Sequence, residues 1–142
     1  DFLKELFRVE IPEIDDGTIE IKSVSREAGS RAKVAVYSTQ EGLDTVGACI
    51  GQKGQRIKTI VDELNGEKID IIEWVADKAE FVKASLSPAQ VKTVEILEDH
   101  VTARVVVHPS QLSLAIGKSG QNARLAAKLT NMRIDIKTEE VK

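Results

Sequence analysis

The sequence predicts an α+β fold made of two copies of one unit, each ordered α-β-β-α-α-β with a three-stranded sheet packed on helices. Three observations carry this. The first is an internal repeat: Thr18-Ile19-Glu20-Ile21 returns as Thr93-Val94-Glu95-Ile96, and Ala32-Lys33-Val34-Ala35-Val36 as Ala103-Arg104-Val105-Val106-Val107. Ile50-Gly51-Gln52-Lys53-Gly54-Gln55 returns as Ile116-Gly117-Lys118-Ser119-Gly120-Gln121, and Ile69-Asp70-Ile71 as Ile134-Asp135-Ile136. The offsets of 75, 71, 66 and 65 shrink in order, as a tandem duplication with shorter second-copy connections requires. The second is that strand-like alternation and helix-like spacing take turns along each copy. The third is a Gly-x-x-Gly turn at the same place in both.

In copy one, covering residues 1–76, Leu3, Leu6 and Phe7 stand at helical spacing over Phe2 to Phe7, with Pro12 beyond the helix end. Thr18 to Lys22 alternates Ile19 and Ile21 with charged residues, the pattern of a half-buried strand, and Ala32 to Tyr37 is the next strand after a turn at Gly29-Ser30. Asp44 is placed to N-cap a short helix ending at Ile50. After the turn, Ile57, Ile60, Val61 and Leu64 mark one face of a second helix, which Asn65-Gly66 stops before a strand from Lys68 to Trp74. Copy two, residues 77–142, opens with a helix over Asp77 to Leu86 and continues with strands Thr93 to Glu98 and Thr102 to Val107. Pro109-Ser110 starts its short helix, Gly117 to Gly120 turns into a helix over Gln121 to Leu129, and Arg133 to Lys137 closes the unit.

Composition limits the functions available. The 142 residues carry 20 Lys and Arg against 23 Asp and Glu, a net charge of −3, which excludes coating nucleic acid by bulk charge. No apolar run exceeds the four residues Val34 to Tyr37, so no membrane-spanning segment or membrane partner is expected. The one cysteine, Cys49, excludes an internal disulfide and a thiolate-cluster metal site, and fits a cytoplasmic protein. The chain begins at Asp1 rather than Met, which reads as a piece of something longer.

The charge is unevenly spread. Between Asp44 and Asp62 lie Lys53, Arg56 and Lys58 and no acid; between Asp99 and Asp135 lie Arg104, Lys118, Arg124, Lys128 and Arg133, again with no acid. Residues 1–75 hold 10 cations and 15 acids, residues 76–142 hold 10 and 8. Both Gly-x-x-Gly turns therefore lie in locally positive stretches. Glycine reaches positive φ without strain and lets another backbone come close. The helix that starts at the turn directs free N–H groups and its positive dipole end there. These features suit phosphate. Candidate contacts are Gly51, Gln52, Lys53, Gly54, Arg56 and Lys58 in copy one, and Gly117, Lys118, Ser119, Gly120, Arg124 and Lys128 in copy two. Ile50 and Ile116 are placed to line an apolar groove beside each turn, with Ala48 and Ala115 leaving room for bases. No aromatic residue falls in either loop region, which disfavours base stacking on an aromatic platform.

At these residues the sequence resembles tandem K-homology (KH) domains of the prokaryotic type (type II), and more narrowly the KH pair of the NusA family of bacterial transcription factors. The carrying segments are Val46 to Gly51 with Gly66 to Trp74 in copy one, Gln111 to Gly117 with Gln121 to Ala127 in copy two, and Leu86-Ser87-Pro88-Ala89 between them. The resemblance implies single-stranded RNA, a nascent or leader transcript, as the ligand, and adds Asn122 to the RNA-binding set. It implies RNA polymerase and other antitermination factors as partners through a full-length protein, and roles in pausing, termination and antitermination. The chain itself is expected to be a monomer. Ser119 stands where many second-copy loops of the family carry an acid, which implies better tolerance of phosphate there; Met132 stands at a position often aromatic.

Catalysis has little support. His100 and His108 have no carboxylate or nucleophile that the sequence places beside them, and Cys49 reads as a small apolar filler. Asp70 and Asp135 read as the polar faces of matching strands, and the glycine spacing is not that of a P-loop. No catalytic residue, metal ligand or cofactor is therefore assigned. Two further readings remain. Two helices joined by a glycine turn are also the outline of a helix-turn-helix, which gives a DNA-binding alternative. A protein-docking scaffold with degenerate KH domains is the other.

Overall fold

A computed structural model describes residues 2–139. The chain divides into two compact units, Asp1–Trp74 and Val75–Lys142.

In the first unit, helix α1 (Phe2–Glu10) buries Leu3 and Phe7, one turn apart on one face. Pro12 does not lie beyond the helical region, as the sequence reading has it, but opens a further short helix, α2 (Pro12–Asp15). Proline fits a first helical position, where its fixed φ is already helical and its missing N–H has no partner to lose. Strand β1 (Glu20–Glu27) starts later and runs further than the alternation of Ile19 and Ile21 predicts. A register shift between Ile21 and Ser23 breaks the alternation, so the pattern hides the second half of the strand. Strands β2 (Arg31–Tyr37) and β3 (Lys68–Glu73) complete a sheet of order β1-β2-β3, with β2 antiparallel to β1 and parallel to β3.

Between β2 and β3 run helices α3 (Thr45–Ile50) and α4 (Gln55–Glu63). The Asp44 carboxylate caps α3 as its position predicts, accepting from the Gly47 amide at 3.0 Å. At the end of α4, Asn65 and Gly66 take positive φ and the Gly66 amide donates to the Val61 carbonyl at 2.9 Å. The core joins Leu3, Phe7 and Ile11 to Val34 and Val36 of β2 and to Cys49, Ile60 and Leu64 of the helix pair.

Two charged clusters sit inside this unit. Glu67 is fully buried; its carboxylate takes a fork of bonds from Arg26 (2.7 and 2.9 Å) and a third from the Gly29 amide at 2.8 Å. It thereby fastens the β1–β2 turn to the start of β3. Asp70 accepts from Arg31 and from the buried Lys33, so the expectation that it forms only a polar strand face is replaced by an anchoring role.

The second unit repeats the order. Helix α5 (Lys78–Ser85) is capped by Asp77, strands β4 (Thr93–Ile96), β5 (Thr102–Val107) and β6 (Arg133–Thr138) form a sheet with the same pairing sense, and helices α6 (Leu112–Ile116) and α7 (Gln121–Thr130) lie between β5 and β6. β4 stops two residues before the predicted Glu98 because Asp99 takes over the turn, accepting from Val101 N, Thr102 N and Thr102 Oγ1. Pro109–Gln111 forms one 3₁₀ turn, with the His108 ring accepting from the Ser110 amide at 3.0 Å. The core gathers Val82 and Leu86 with Val105 and Val107 of β5, and with Ala115, Ala126 and Met132. Met132 thus fills a core position.

Candidate nucleic-acid interface

Each helix pair is joined by a tight turn, and the two turns match closely in backbone. α3 ends at Gly51 (φ 81°, ψ 172°), Gln52–Gly54 makes one 3₁₀ turn, and α4 follows. α6 ends at Gly117 (φ 81°, ψ 167°), Lys118–Gly120 makes the same turn, and α7 follows. The third position is left-handed in both, Lys53 at φ 55° and Ser119 at φ 56°.

The two glycines of each turn do different work. A Cβ on Gly51 would stand 2.8 Å from Arg56 Cγ, and one on Gly117 would stand 2.7 Å from the Asn122 backbone N. The first glycine is therefore fixed by the close passage of the following helix. A Cβ on Gly54 would meet nothing within 4 Å, and one on Gly120 only Arg124 Nη1 at 3.7 Å. The second glycine answers to its left-handed φ of 73° or 75° and faces open space, where another backbone can approach. α4 and α7 begin there with no side-chain cap and no acid in the first turn, leaving the N-terminal dipole uncompensated.

The candidate side chains separate into two groups. Gln52, Lys53, Lys58, Lys118, Ser119 and Lys128 are exposed, and the four lysines among them make no ion pair with a described residue. The two loop lysines are not equivalent: Lys53 corresponds to Ser119, and Lys118 to Gln52. Exposed Arg124 arches back, its Nη1 donating to the Ser119 carbonyl at 3.0 Å. Arg56 Nη1 is engaged by Glu13 Oε1 at 2.9 Å and by the Ala48 carbonyl at 2.8 Å. Asn122, at the corresponding position of α7, is fully buried, and its Nδ2 donates to the carbonyls of Leu86 and Ala115 at 3.0 and 2.9 Å. Its amide ties α5, α6 and α7 together. Arg56 and Asn122 thus both tie the helix after the turn to a carbonyl of the helix before it.

The apolar flank is also resolved. Ile50 is half-buried and Ile116 is 38% exposed, each at the lip of its turn. Ala115 is fully buried, so it does not open the groove as expected, while Ala48 is half-buried against the core. Leu114, 46% exposed beside Ile116, escaped the sequence reading. The signal was available: Leu112 and Ala115 point inward at i and i+3, which leaves position 114 outside.

Burial pushes the Cys49 thiol up to about 12, with the Glu13 charge adding to it and Arg56 opposing, so the thiolate is suppressed at neutral pH. Among the described residues no group of three His, Cys, Asp or Glu side chains is arranged to hold a metal ion, and no helix is long and apolar enough to cross a membrane.

Comparison with known proteins agrees with this geometry. Residues 1–74 match the family model described as NusA-like first KH domain, and residues 78–142 the one described as NusA-like second KH domain. Proteins named transcription termination/antitermination protein NusA are similar over nearly the whole chain. The protein from Halalkalibacterium halodurans is 58% identical over 96% of the chain, that from Bacillus subtilis 57% over 96%, and that from Mycobacterium tuberculosis 56% over 95%. The chain spans 36%, 37% and 39% of those relatives' lengths. The crystal structure of APE1850 shares the fold, with a TM-score of 0.67 at 24% identity and 95% coverage of both chains.

Proposed function

The chain belongs to the NusA-like KH family, and from that premise we propose that it binds single-stranded RNA by clamping the sugar–phosphate backbone at its two Gly-x-x-Gly turns. The observation that carries this reading is the division of labour between the glycines. In each copy one is used up by packing, while the other opens onto solvent at an uncapped helix N-terminus, with lysines beside it that pair with no described residue. A clamp of this kind holds about four nucleotides of backbone and leaves the bases to apolar neighbours. Ile50, Leu114 and Ile116 are the residues on this chain that meet that need.

Within the longer protein to which such a segment belongs, the RNA is a nascent or leader transcript, and the action is on pausing, termination and antitermination in the cytoplasm. RNA polymerase and other antitermination factors are the protein partners, reached through the remainder of the protein. The segment itself works as a monomer and carries no catalytic step.

The test replaces Gln52-Lys53 and Lys118-Ser119 with Asp pairs, putting two carboxylates where each phosphate lies. Fluorescence anisotropy with single-stranded RNA, single-stranded DNA and duplex DNA at two salt concentrations should show RNA preferred by the parent chain and lost in the variant, with helical content unchanged. Unaltered RNA affinity in the folded variant, or preference for duplex DNA, overturns the reading.

A further inference from the structure

Two places after the last glycine of each turn stand residues of different chemistry that make the same connections. Arg56 and Asn122 are the second residues of α4 and α7. Each packs on the first glycine of its turn: a Cβ on Gly51 would stand 2.8 Å from Arg56 Cγ, and one on Gly117 2.8 Å from Asn122 Cβ. Each reaches back to the last turn of the preceding helix, Arg56 Nη1 to the Ala48 carbonyl at 2.8 Å and Asn122 Nδ2 to the Ala115 carbonyl at 2.9 Å. The last four carbonyls of a helix have no partner within it, so a donor arriving from the next helix is well placed there. Each also holds a third element, Arg56 through Glu13 of α2 at 2.9 Å and Asn122 through the Leu86 carbonyl, at the end of α5, at 3.0 Å. Asn122 does this at a cost. Its two carbonyl neighbours fix which end of the amide is nitrogen, and the remaining Oδ1 is buried with no partner among the described residues. An apolar side chain would avoid that penalty but could not hold the carbonyls.

We infer that Arg56 and Asn122 are positioning residues. Each pins together the two helices around its turn, and so holds Gln52–Gly54 or Lys118–Gly120 in the form that receives RNA, without touching RNA itself. This rests on the reading of both turns as RNA clamps. Within each turn the last glycine's amide donates to the first glycine's carbonyl, at 3.1 Å for Gly54 and 3.0 Å for Gly120. That bond lasts only while the flanking helices keep their separation. A turn released from its pin has to be ordered at the moment of binding, and the entropy lost is subtracted from the affinity. The loss does not depend on salt, because no phosphate contact has gone.

The test compares Arg56→Met, Arg56→Lys and Asn122→Ala in the full 142-residue chain by two readouts. One is NMR amide exchange at Gly54 and Gly120. The other is anisotropy over a KCl series with an unpaired, labelled RNA of about 12 nucleotides, enough for two clamps of about four. Arg56→Met should speed exchange at Gly54 by about tenfold or more and leave Gly120 alone, and Asn122→Ala should do the reverse. Each should weaken RNA binding by about tenfold, with the slope of log affinity against log salt unchanged. Arg56→Lys, whose ammonium can donate to both acceptors, should restore most of both readouts. Met132→Ala, which loosens the core of the second unit, should lower the melting temperature and move neither. If Asn122→Ala does not fold, the two Arg56 variants decide alone, as that side chain is 34% exposed. Unchanged exchange at the altered turn overturns the inference and leaves the clamps in place. So does a salt slope flattened by about 0.7 in Arg56→Met, the mark of a lost phosphate contact. Absence of RNA binding by the parent chain at all salts overturns the clamp reading itself, and this inference with it.

Discussion

Lys33 and Asp70 face each other in register across the parallel β2–β3 pair, with the lysine fully buried and its ammonium 2.9 Å from the carboxylate. Arg31 adds bonds of 2.9 and 2.6 Å to the same oxygen. In the second unit the corresponding partners, Arg104 and Asp135, are both exposed, and each turns to a neighbour on its own surface, Glu95 at 3.4 Å and Lys137 at 3.9 Å. One repeat position thus carries a buried ion cluster in one copy and solvated pairs in the other.

Asp70→Asn should therefore destabilise the chain by about 3 kcal/mol, since it neutralises the carboxylate that a buried ammonium and Arg31 share. Asp135→Asn should change stability by less than about 0.5 kcal/mol. Lys33→Met, which removes the buried charge and leaves Asp70 to Arg31, should cost much less than Asp70→Asn. Urea unfolding midpoints of the three variants at neutral pH decide this.

Glu67 gives an acid limb to the stability curve. Burial alone raises its carboxyl, but the Arg26 fork and the Gly29 amide outweigh burial and hold it below its ordinary value of 4.5. The unfolded chain then takes up the proton more readily than the folded one. The contribution is full above the unfolded value and is lost as pH falls through the lower folded one. Glu67→Gln should cost about 2 kcal/mol at neutral pH and give a shallower loss of stability as pH falls below the ordinary carboxyl value of 4.5. Denaturation midpoints across that range measure both effects.

The glycine pairs should separate folding from binding. Gly117→Ala meets both a left-handed φ and the Asn122 backbone, and should cost about 3 kcal/mol or fail to fold. Gly120→Ala meets only the left-handed φ and should cost about 1 kcal/mol. If the turn clamps RNA as proposed, its loss of RNA affinity should nonetheless be large, because the added methyl points into the open space at the turn. Thermal melts and anisotropy titrations on the same samples make the comparison.

Leu114→Ala and Ile116→Ala should weaken RNA binding by about three- to tenfold each while lowering stability by less than about 1 kcal/mol, as both side chains are already partly in water. Anisotropy together with melting separates the two effects. An equal loss of stability and affinity would place these side chains in the core instead.

The duplication, the order of elements and both turns were legible in the sequence because each has a local cause. Asp44 caps what it precedes, Asn65-Gly66 stops what it follows, and period-2 and period-3.6 runs alternate. What was not legible depends on partners distant in sequence. Asn122 sits beside cations in a binding-like stretch, yet its amide is consumed by carbonyls 36 and 7 residues away. Arg56 is paired with Glu13, 43 residues back. The outward turn of Leu114 lay within reach of periodicity, but five residues of helix give a short pattern to read.

The sheets also have ends. Among the described residues β3 and β6 each pair with one neighbour, so each presents a side with no strand partner there. The exposed charges along these edges are Lys68 and Glu73 in one and Arg133, Asp135 and Lys137 in the other, spaced among isoleucines. A second molecule adding its own strand there would bring fixed charges of both signs into register with another charged edge and strip them of water. Charges at these two edges therefore oppose growth of β3 and β6 into a continuous intermolecular sheet.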